Sequence, residues 1–465
     1  MTATMPARAS LAAALAAGLA SASLAHAAGF AIIEQSAAGL GNAYAGAAAV
    51  AEDATTIAFN PAGLAHVERR ELVFAGHVIV PSTKLKAGAN VTFPATGTTI
   101  GGGRGGDAGV AAFVPNLYGA LPLGDGVVAG FGIYAPFGLA TKYDRAWMGR
   151  YHAVESDLKT VSIVPTVAVR ASERLAVGVG LNIQYAEAKL TNAMDYSAIC
   201  LGIASNAAKS ALTGITLAQC AGAGLTTPGN TAVEGMADVT GDSWSFGVNL
   251  GMIYRFGDGT RLGLAYRSRV AHRLEGDADF SNQPSLFTST PTGRSLFVDS
   301  KASAPLELPA SVSLSLAVPR GAWTFLADAT WTNWSRFDQL VISYDQGDQG
   351  STVTNENWED SWRFSLGATY RYSDRWTLRM GVAYDQTPIP DAEHRTPRIP
   401  GNDRRWVAVG ASYRARDGMR LDFGYAHLFV SDTPIRNTST QGHLLTGTYE
   451  SEVDIVAAQL VWEMS

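Results

Sequence analysis

Between Trp244 and Phe256 every second residue is large and apolar. Trp244, Phe246, Val248, Leu250, Met252, Tyr254 and Phe256 share one face, and Ser245, Gly247, Asn249, Gly251, Ile253 and Arg255 share the other. A period of two sends successive side chains to opposite faces of a strand. An unbroken apolar face with aromatic residues at both ends suits a surface in contact with lipid, and the small and polar face suits a wet lumen. Trp323, Phe325, Ala327, Ala329 and Trp331 repeat the scheme against Thr324, Leu326, Asp328 and Thr330. A soluble sandwich gives the same alternation over shorter strands.

The rest of the chain favours a membrane wall. Residues 1–27 carry Arg8, an apolar core from Leu11 to about Ala20, and Ala25-His26-Ala27 as a small-residue cleavage site. This is the pattern of a secretory signal peptide. No later stretch supplies the roughly 18 consecutive apolar residues of a spanning helix, so a membrane role requires a closed barrel. Composition, at 47% hydrophobic and 16% charged, fits two soluble domains as well as one barrel.

The connections alternate between short and long. Tight turns fall at 122–126, 171–173, 257–259, 319–321, 373–374 and 416–418. Long stretches lie near 81–108, 138–157, 191–241, 277–293, 345–357, 388–403 and 431–447. Six tight turns and seven long connections join about 14 strands, the pattern of short periplasmic turns and long outer loops. A segment precedes the first strand and the first connection is long, so the N-terminus starts on the periplasmic side. The expected division is a leader at 1–27, an inserted segment at 28–70 and a barrel at 71–465. The Gly-rich run at 101–109 lacks the Gly-Lys-Ser/Thr of a phosphate loop and reads as flexible loop.

With 35 Lys and Arg against 41 Asp and Glu, and Arg8 lost with the leader, nucleic acid is excluded as a partner. Cys200 and Cys220 lie in one loop-like region, where an exported chain forms either a single disulfide or two free thiols. Eight histidines show no HExxH, no Cys/His metal spacing and no nucleophile elbow, so no metal and no catalytic residue is assigned.

Residues 29–64, GFAIIEQSAAGLGNAYAGAAAVAEDATTIAFNPAGL, are mostly Ala and Gly and cannot form a core alone. They become ordered only when something larger encloses them. This stretch resembles the N-terminal hatch of the FadL-type outer-membrane transporters of long-chain fatty acids and other hydrophobic compounds. LELPASVSLSLA at 306–317, TNWSRFDQL at 332–340 and YDQTPIPDAEHRTPRIPGNDRRWVAVGASY at 384–413 extend the resemblance in the family's order. The resemblance implies an all-β fold, a transmembrane antiparallel barrel of about 14 strands with the hatch inside its lumen. It also implies a monomer in the bacterial outer membrane that is not an enzyme and needs no cofactor. Its partners are a hydrophobic ligand and outer-membrane lipid. Cargo, most simply a long-chain fatty acid, is captured at the outer loops, passes a gated hatch and leaves sideways through a kink in the third strand. The C-terminus departs from the family's aromatic ending, because Glu463-Met464-Ser465 follow Trp462; the last strand is expected to run three residues further.

The resemblance places roles on particular residues. Phe30 contacts cargo, and Asn60-Pro61-Ala62 fixes the plug, or is a plain turn into the first strand. Pro136, Phe137 and Gly138 mark the lateral opening, since neither Pro nor Gly suits a paired strand interior, or else the strand has already ended there. Lys189 binds the ligand carboxylate near the end of the fifth strand, or is a solvated loop-end lysine. By the same resemblance, Asn192 and Glu359 stand where the fatty acid carrier has arginine and lysine, which weakens the carboxylate reading and makes uncharged cargo such as aromatic hydrocarbons the alternative. For a fatty acid, burying around ten methylenes contributes on the order of 8 kcal/mol, against about 1 kcal/mol for a partly wet charge pair. A barrel lipase, with a triad assembled from distant strands, and a structural barrel or adhesin with an immobile plug are the readings from other classes.

Overall fold

A wall in hydrocarbon has no water to bond with, so each strand must find a neighbour on both sides. A computed structural model of the chain describes residues 29–464 and meets this demand by closure; the leader expected at 1–27 lies outside the described residues. The barrel has 14 antiparallel strands. The first six are β1 (Arg70–Leu85), β2 (Ala112–Gly124), β3 (Val127–Tyr134 and Gly138–Lys142), β4 (Glu155–Arg170), β5 (Leu175–Asp195) and β6 (Glu234–Arg255). The middle of the wall is β7 (Arg261–Arg267 and Val270–Phe280), β8 (Ser300–Leu308 and Ser311–Arg320), β9 (Trp323–Thr332 and Gln339–Tyr344) and β10 (Ser361–Arg371). It is completed by β11 (Trp376–Asp385), β12 (Arg404–Arg416), β13 (Met419–Val430, continued by Thr433–Thr438) and β14 (Leu444–Met464). β14 closes on β1, from Arg70 opposite Met464 to Leu85 opposite Tyr449. The last strand therefore runs past Trp462, its final pairs held by the ladder rather than by an aromatic end.

Alternation in the sequence becomes two faces of the wall. Trp244, Phe246, Val248, Leu250, Met252 and Phe256 are exposed on the outside of β6, whereas Asn249 and Ile253 are buried on the inside. Six short turns close one end and seven longer connections close the other, and several of the latter are more structured than the composition suggests. The connection after β3 begins only beyond Lys142, because Gly138–Lys142 pairs with β4. Residues 191–241 contribute the upper ends of β5 and β6 and three helices, one of which spans Tyr196–Ser205 and another Leu217–Gly222. A disulfide joins Cys200 and Cys220 from these two helices, with Cα atoms 5.9 Å apart. The Gly-rich run at 101–109 is a loop, but bridges from Gly103 to Trp147, Asp107 to Lys84 and Gly109 to Thr141 pin it. Its expected flexibility gives way to backbone pairing.

Residues 29–69 fill the lumen as three short helices, α1 (Ala37–Gly41), α2 (Ala47–Val50) and α3 (Thr56–Phe59), and a 3-10 turn (Pro61–His66). The small lumen-facing residues of the wall serve this plug more than water. A Cβ on Gly251 would lie 1.9 Å from Asn60 Oδ1, one on Gly263 would lie 2.0 Å from the Ala48 oxygen, and one on Gly381 would lie 2.2 Å from the Asn42 backbone. The glycines of β6, β7 and β11 let the plug's backbone touch the wall's, correcting the wet-lumen reading of that face.

Gly251→Val is therefore expected to leave the barrel folded and loosen the plug. Purified variant protein should keep its β-rich circular dichroism while conducting small ions in planar bilayers; a sealed variant would show that this contact does not hold the plug.

Candidate functional site: the plug, the broken strand and the cavities between them

The plug's polar groups are matched one by one to the wall. Asn60, fully buried, accepts from the Ala62 N–H at 3.0 Å and donates to the carbonyls of Ala48 at 2.6 Å and Met252 at 3.1 Å. Pro61 follows at the first position of the 3-10 turn, where a missing N–H costs nothing. The triplet therefore stitches two plug segments to β6. At the periplasmic end Arg379 pairs with Glu52 at 2.7 Å, Arg420 pairs with Asp53 and Asp422, and Gln459 donates to Asp53 at 2.9 Å. Buried charges such as Asp53 and Asp422 are tolerable only when paired in this way.

β3 breaks at Ala135 to Phe137. Its pairing with β2 stops at Ile133 opposite Leu117, and its upper part pairs only with β4. Above that point β2 pairs only with β1 until a bridge from Gly109 to Thr141 closes the top. A gap is left in the wall between β2 and β3. Pro115, which has no N–H to strand, lies on the free edge. The N-terminal stretch of the plug lies behind the gap and supplies the missing bonds. Ile32 N–H donates to the Pro136 oxygen at 2.9 Å, and Gly138 N–H donates to the Phe30 oxygen at 2.9 Å. On the other edge Tyr118 donates to the Gln35 oxygen at 2.9 Å, and Asn116 donates to the Glu34 oxygen at 3.3 Å. From β4, Thr160 uses its hydroxyl to donate to the Phe137 oxygen at 2.7 Å and to accept its N–H at 3.0 Å.

Phe30 packs among Trp334, Phe337, Trp358 and Phe137, with ring centroids 4.8 to 6.2 Å apart. Above it lies an apolar cavity of about 90 Å³ lined by Phe30, Leu158, Leu190, Leu274, Leu306 and Ile342 among others, with Asp157, Glu356 and Arg398 as its ionisable groups; Asp157 is paired with Lys159 at 2.7 Å. Arg398 is held by Ser156 Oγ at 3.0 Å and Asn192 Oδ1 at 3.1 Å. Burial pulls its pKa down to about 10, so it is charged at neutral pH. Burial raises the Glu356 carboxyl to about 8, which leaves it mostly neutral at pH 7 and Arg398 without a full counter-charge.

Lys189 lies elsewhere. It follows the outward parity of Val177, Val179 and Leu181 on β5 and pairs with Glu155 at 3.6 Å and Asp238 at 3.8 Å. Only Asn192 of the β5 candidates reaches the cavity's cation. The sequence reading missed Arg398 because it sits in a loop 200 residues away, although it stands inside the family block at 384–413. Glu359 is exposed and contributes only its N–H to the Pro388 oxygen.

One cluster has the composition of a catalytic triad. His443 Nε2 lies 2.9 Å from Asp195 Oδ2, and its Nδ1 lies 3.3 Å from Ser439 Oγ. The ring is fully buried against Tyr151 and Phe93, and Ser439 Oγ accepts the N–H of His443 itself. This is a hairpin lock without access for an ester. Among the described residues no group of three His, Cys, Asp or Glu is placed to hold a metal ion.

A closed barrel plugged by its own N-terminal segment, with an apolar cavity above the plug and a gap beside it, defines a channel-like transporter of the outer membrane. Its sequence matches the family model described as outer membrane protein transport protein (OMPP1/FadL/TodX) over residues 18–463, and the chain belongs to that family. It is 30% identical to the long-chain fatty acid transport protein of Escherichia coli K12 over 86% of this chain and 87% of that one. It is 30% identical to outer membrane protein P1 of Haemophilus influenzae over 90% and 89% of the two chains. A Pseudomonas aeruginosa FadL homologue superposes with a TM-score of 0.84 at 24% identity, covering 94% of this chain and 100% of that structure. The Pseudomonas putida toluene transporter TodX gives 0.63 at 18%, with 89% and 94% covered. The protein is thus an outer-membrane transporter of hydrophobic compounds and not an enzyme.

Truncating Phe30 removes an aromatic anchor worth about 1.5–3 kcal/mol. Phe30→Ala should weaken equilibrium binding of a fluorescent fatty acid at least tenfold with unchanged heat stability of the barrel, and unchanged affinity would remove Phe30 from the passage. Asn60→Ala, which strands two carbonyls and an N–H, should make the channel leak ions.

Proposed function

We propose that this protein passively carries long-chain fatty acids from the outer surface to the outer membrane. The alkyl chain settles in the apolar cavity above Phe30, and Arg398 orients the carboxylate. The observation that supports this reading most directly is a charged Arg398 in a greasy cavity beside a carboxyl that burial keeps neutral. Affinity comes from the apolar walls, at about 0.8 kcal/mol per buried methylene, while the cation fixes the direction of entry. Movement of residues 30–35 then opens the gap between β2 and β3, and the cargo leaves sideways without crossing water. Phe30, Asn60, Pro61 and Ala62 serve the gate in this scheme, and Pro136, Phe137 and Gly138 frame the exit. Uncharged aromatic cargo is the second reading, favoured by the dominance of apolar lining and by Asn192 and Glu359 at positions where the carrier is basic.

Uptake of oleate and of toluene into proteoliposomes separates the two readings. Oleate is expected to enter, and free passage of small hydrophilic solutes with neither probe bound would make the chain an ordinary porin. Glu356 adds a pH signature. Its pKa is raised to about 8, so an anionic ligand binds best below pH 8 and loses affinity as Glu356 ionises above it. Binding of dodecyl sulfonate, which stays anionic, should fall several-fold from pH 7 to pH 9, and Glu356→Gln should abolish the fall. A Cβ on Gly138 would lie 2.6 Å from Ile32 Cδ1; Gly138→Trp should therefore slow oleate uptake with capture intact, and full transport would refute lateral exit.

A further inference from the structure

The periplasmic rim of the barrel carries more positive charge than its own carboxylates neutralise. No lysine occurs in the six short turns or in the strand ends that flank them, and the basic residues there are all arginine. Arg170 on β4, Arg255 on β6, Arg261 on β7, Arg371 on β10, Arg375 just before β11 and Arg414 on β12 follow the parity of lumen-facing residues, so they project over the mouth and not against lipid. Among the described residues none of the six forms an ion pair. The lumen's carboxylates at this end are already taken, Glu52 by Arg379 at 2.7 Å, Asp53 and Asp422 by Arg420, and Glu71 by the Ala54 N–H at 2.9 Å. The exposed turn acids Glu173, Asp374 and Asp417 form no ion pair either, among the described residues. Like charges are nevertheless set side by side. Arg255 is directly opposite Arg261, and Arg414 is directly opposite Arg420 and donates its backbone N–H to the Arg375 oxygen at 2.9 Å. Like charges in directly opposed positions destabilise a sheet. Arg170, Arg255 and Arg261 also act together on His66, the last residue of the plug's 3-10 turn, and Arg170 donates to the neighbouring Ala65 oxygen at 3.0 Å.

We infer that this arginine-ringed mouth is a docking surface for an acidic periplasmic protein, which seats carboxylates on both arginine groups at once. One group stands on β4, β6 and β7 and the other on β10 to β12, with β8 and β9 between them along the wall. A phosphate ion is too small to bridge the two. Lipid headgroups meet the outer perimeter of the barrel, which the lumen parity of these side chains turns away from. A protein surface with spaced Asp and Glu reaches both groups, and two linked contacts bind far more tightly than either alone. Arginine suits that partner better than lysine, because its planar fork pairs with a carboxylate through two parallel hydrogen bonds. The chain as a whole has a formal net charge of −6, so the positive mouth is a local feature that steers an acidic partner to this end of the barrel. Occupancy offsets the repulsion between the opposed arginines and places the partner beneath the plug's last turn. The inference does not depend on which cargo the barrel carries.

The probe is a fluorescent oligoglutamate peptide, titrated against the purified protein in phosphatidylcholine nanodiscs. The variants are Arg255→Gln with Arg261→Gln, and Arg375→Gln with Arg414→Gln. Wild-type protein is expected to bind the peptide with an affinity that falls steeply as salt is raised. Either double substitution should weaken binding about tenfold, with oleate capture unchanged and with heat stability unchanged or raised, since each pair removes a contact between like charges. Lower heat stability in both variants together with unaltered peptide binding would make the arginines structural and overturn the inference. Inorganic phosphate that displaces the peptide at equal concentration would reduce the mouth to a small-anion site, with the same consequence. A third result, in which only a preference for phosphatidylglycerol over phosphatidylcholine nanodiscs is lost in the variants, would assign the charge to lipid and also overturn it.

Discussion

A wall that spans a bilayer can be broken only where protein replaces the lost ladder, because an unpaired backbone group in hydrocarbon costs several kcal/mol. The interruption of β3 meets that condition from two directions. Thr160 on β4 satisfies both backbone groups of Phe137 with one hydroxyl, and plug residues Phe30 and Ile32 take the groups of Gly138 and Pro136. The plug is therefore part of the wall at this point. Any movement of residues 30–35 removes those bonds, so opening the gap and displacing the plug's first residues are one event.

The opposite end of the plug is built to stay. Two arginine-carboxylate contacts and Gln459 anchor residues 52–53 to β11, β13 and β14, and glycines on the wall let the backbones of the two parts touch. The plug thus has one end held by paired charges and one end held by hydrogen bonds to a discontinuous strand and by the rings around Phe30.

In the proposed function, electrostatics and greasy surface divide the work of binding, the apolar cavity above Phe30 supplying area and Arg398 direction. Glu356, kept neutral by burial, avoids cancelling that direction. Asn192, itself neutral, positions Arg398 through a 3.1 Å hydrogen bond.

The strand pattern, the alternation of short and long connections and the need for an enclosing wall were legible in the sequence, because side-chain alternation in a barrel is a local property with a fixed period. The break at Ala135 to Phe137 was signalled by Pro136, which carries its backbone restriction with it, whereas Gly138 itself pairs with Lys159. The match of Asn60 to the Ala48 and Met252 carbonyls was not, nor was the use of Gly251 and Gly263 for plug contact rather than a wet lumen. Lys189 stands on the outward face of its strand, paired with Glu155 and Asp238, and a single-residue shift in parity decides which face a side chain takes. Arg398 lies within a family block and Glu356 outside one, but neither carries a local signal of the cavity it lines. Their meaning depends on which loop folds over which cavity and on which strands stand side by side, and only closure of the barrel around the plug determines that.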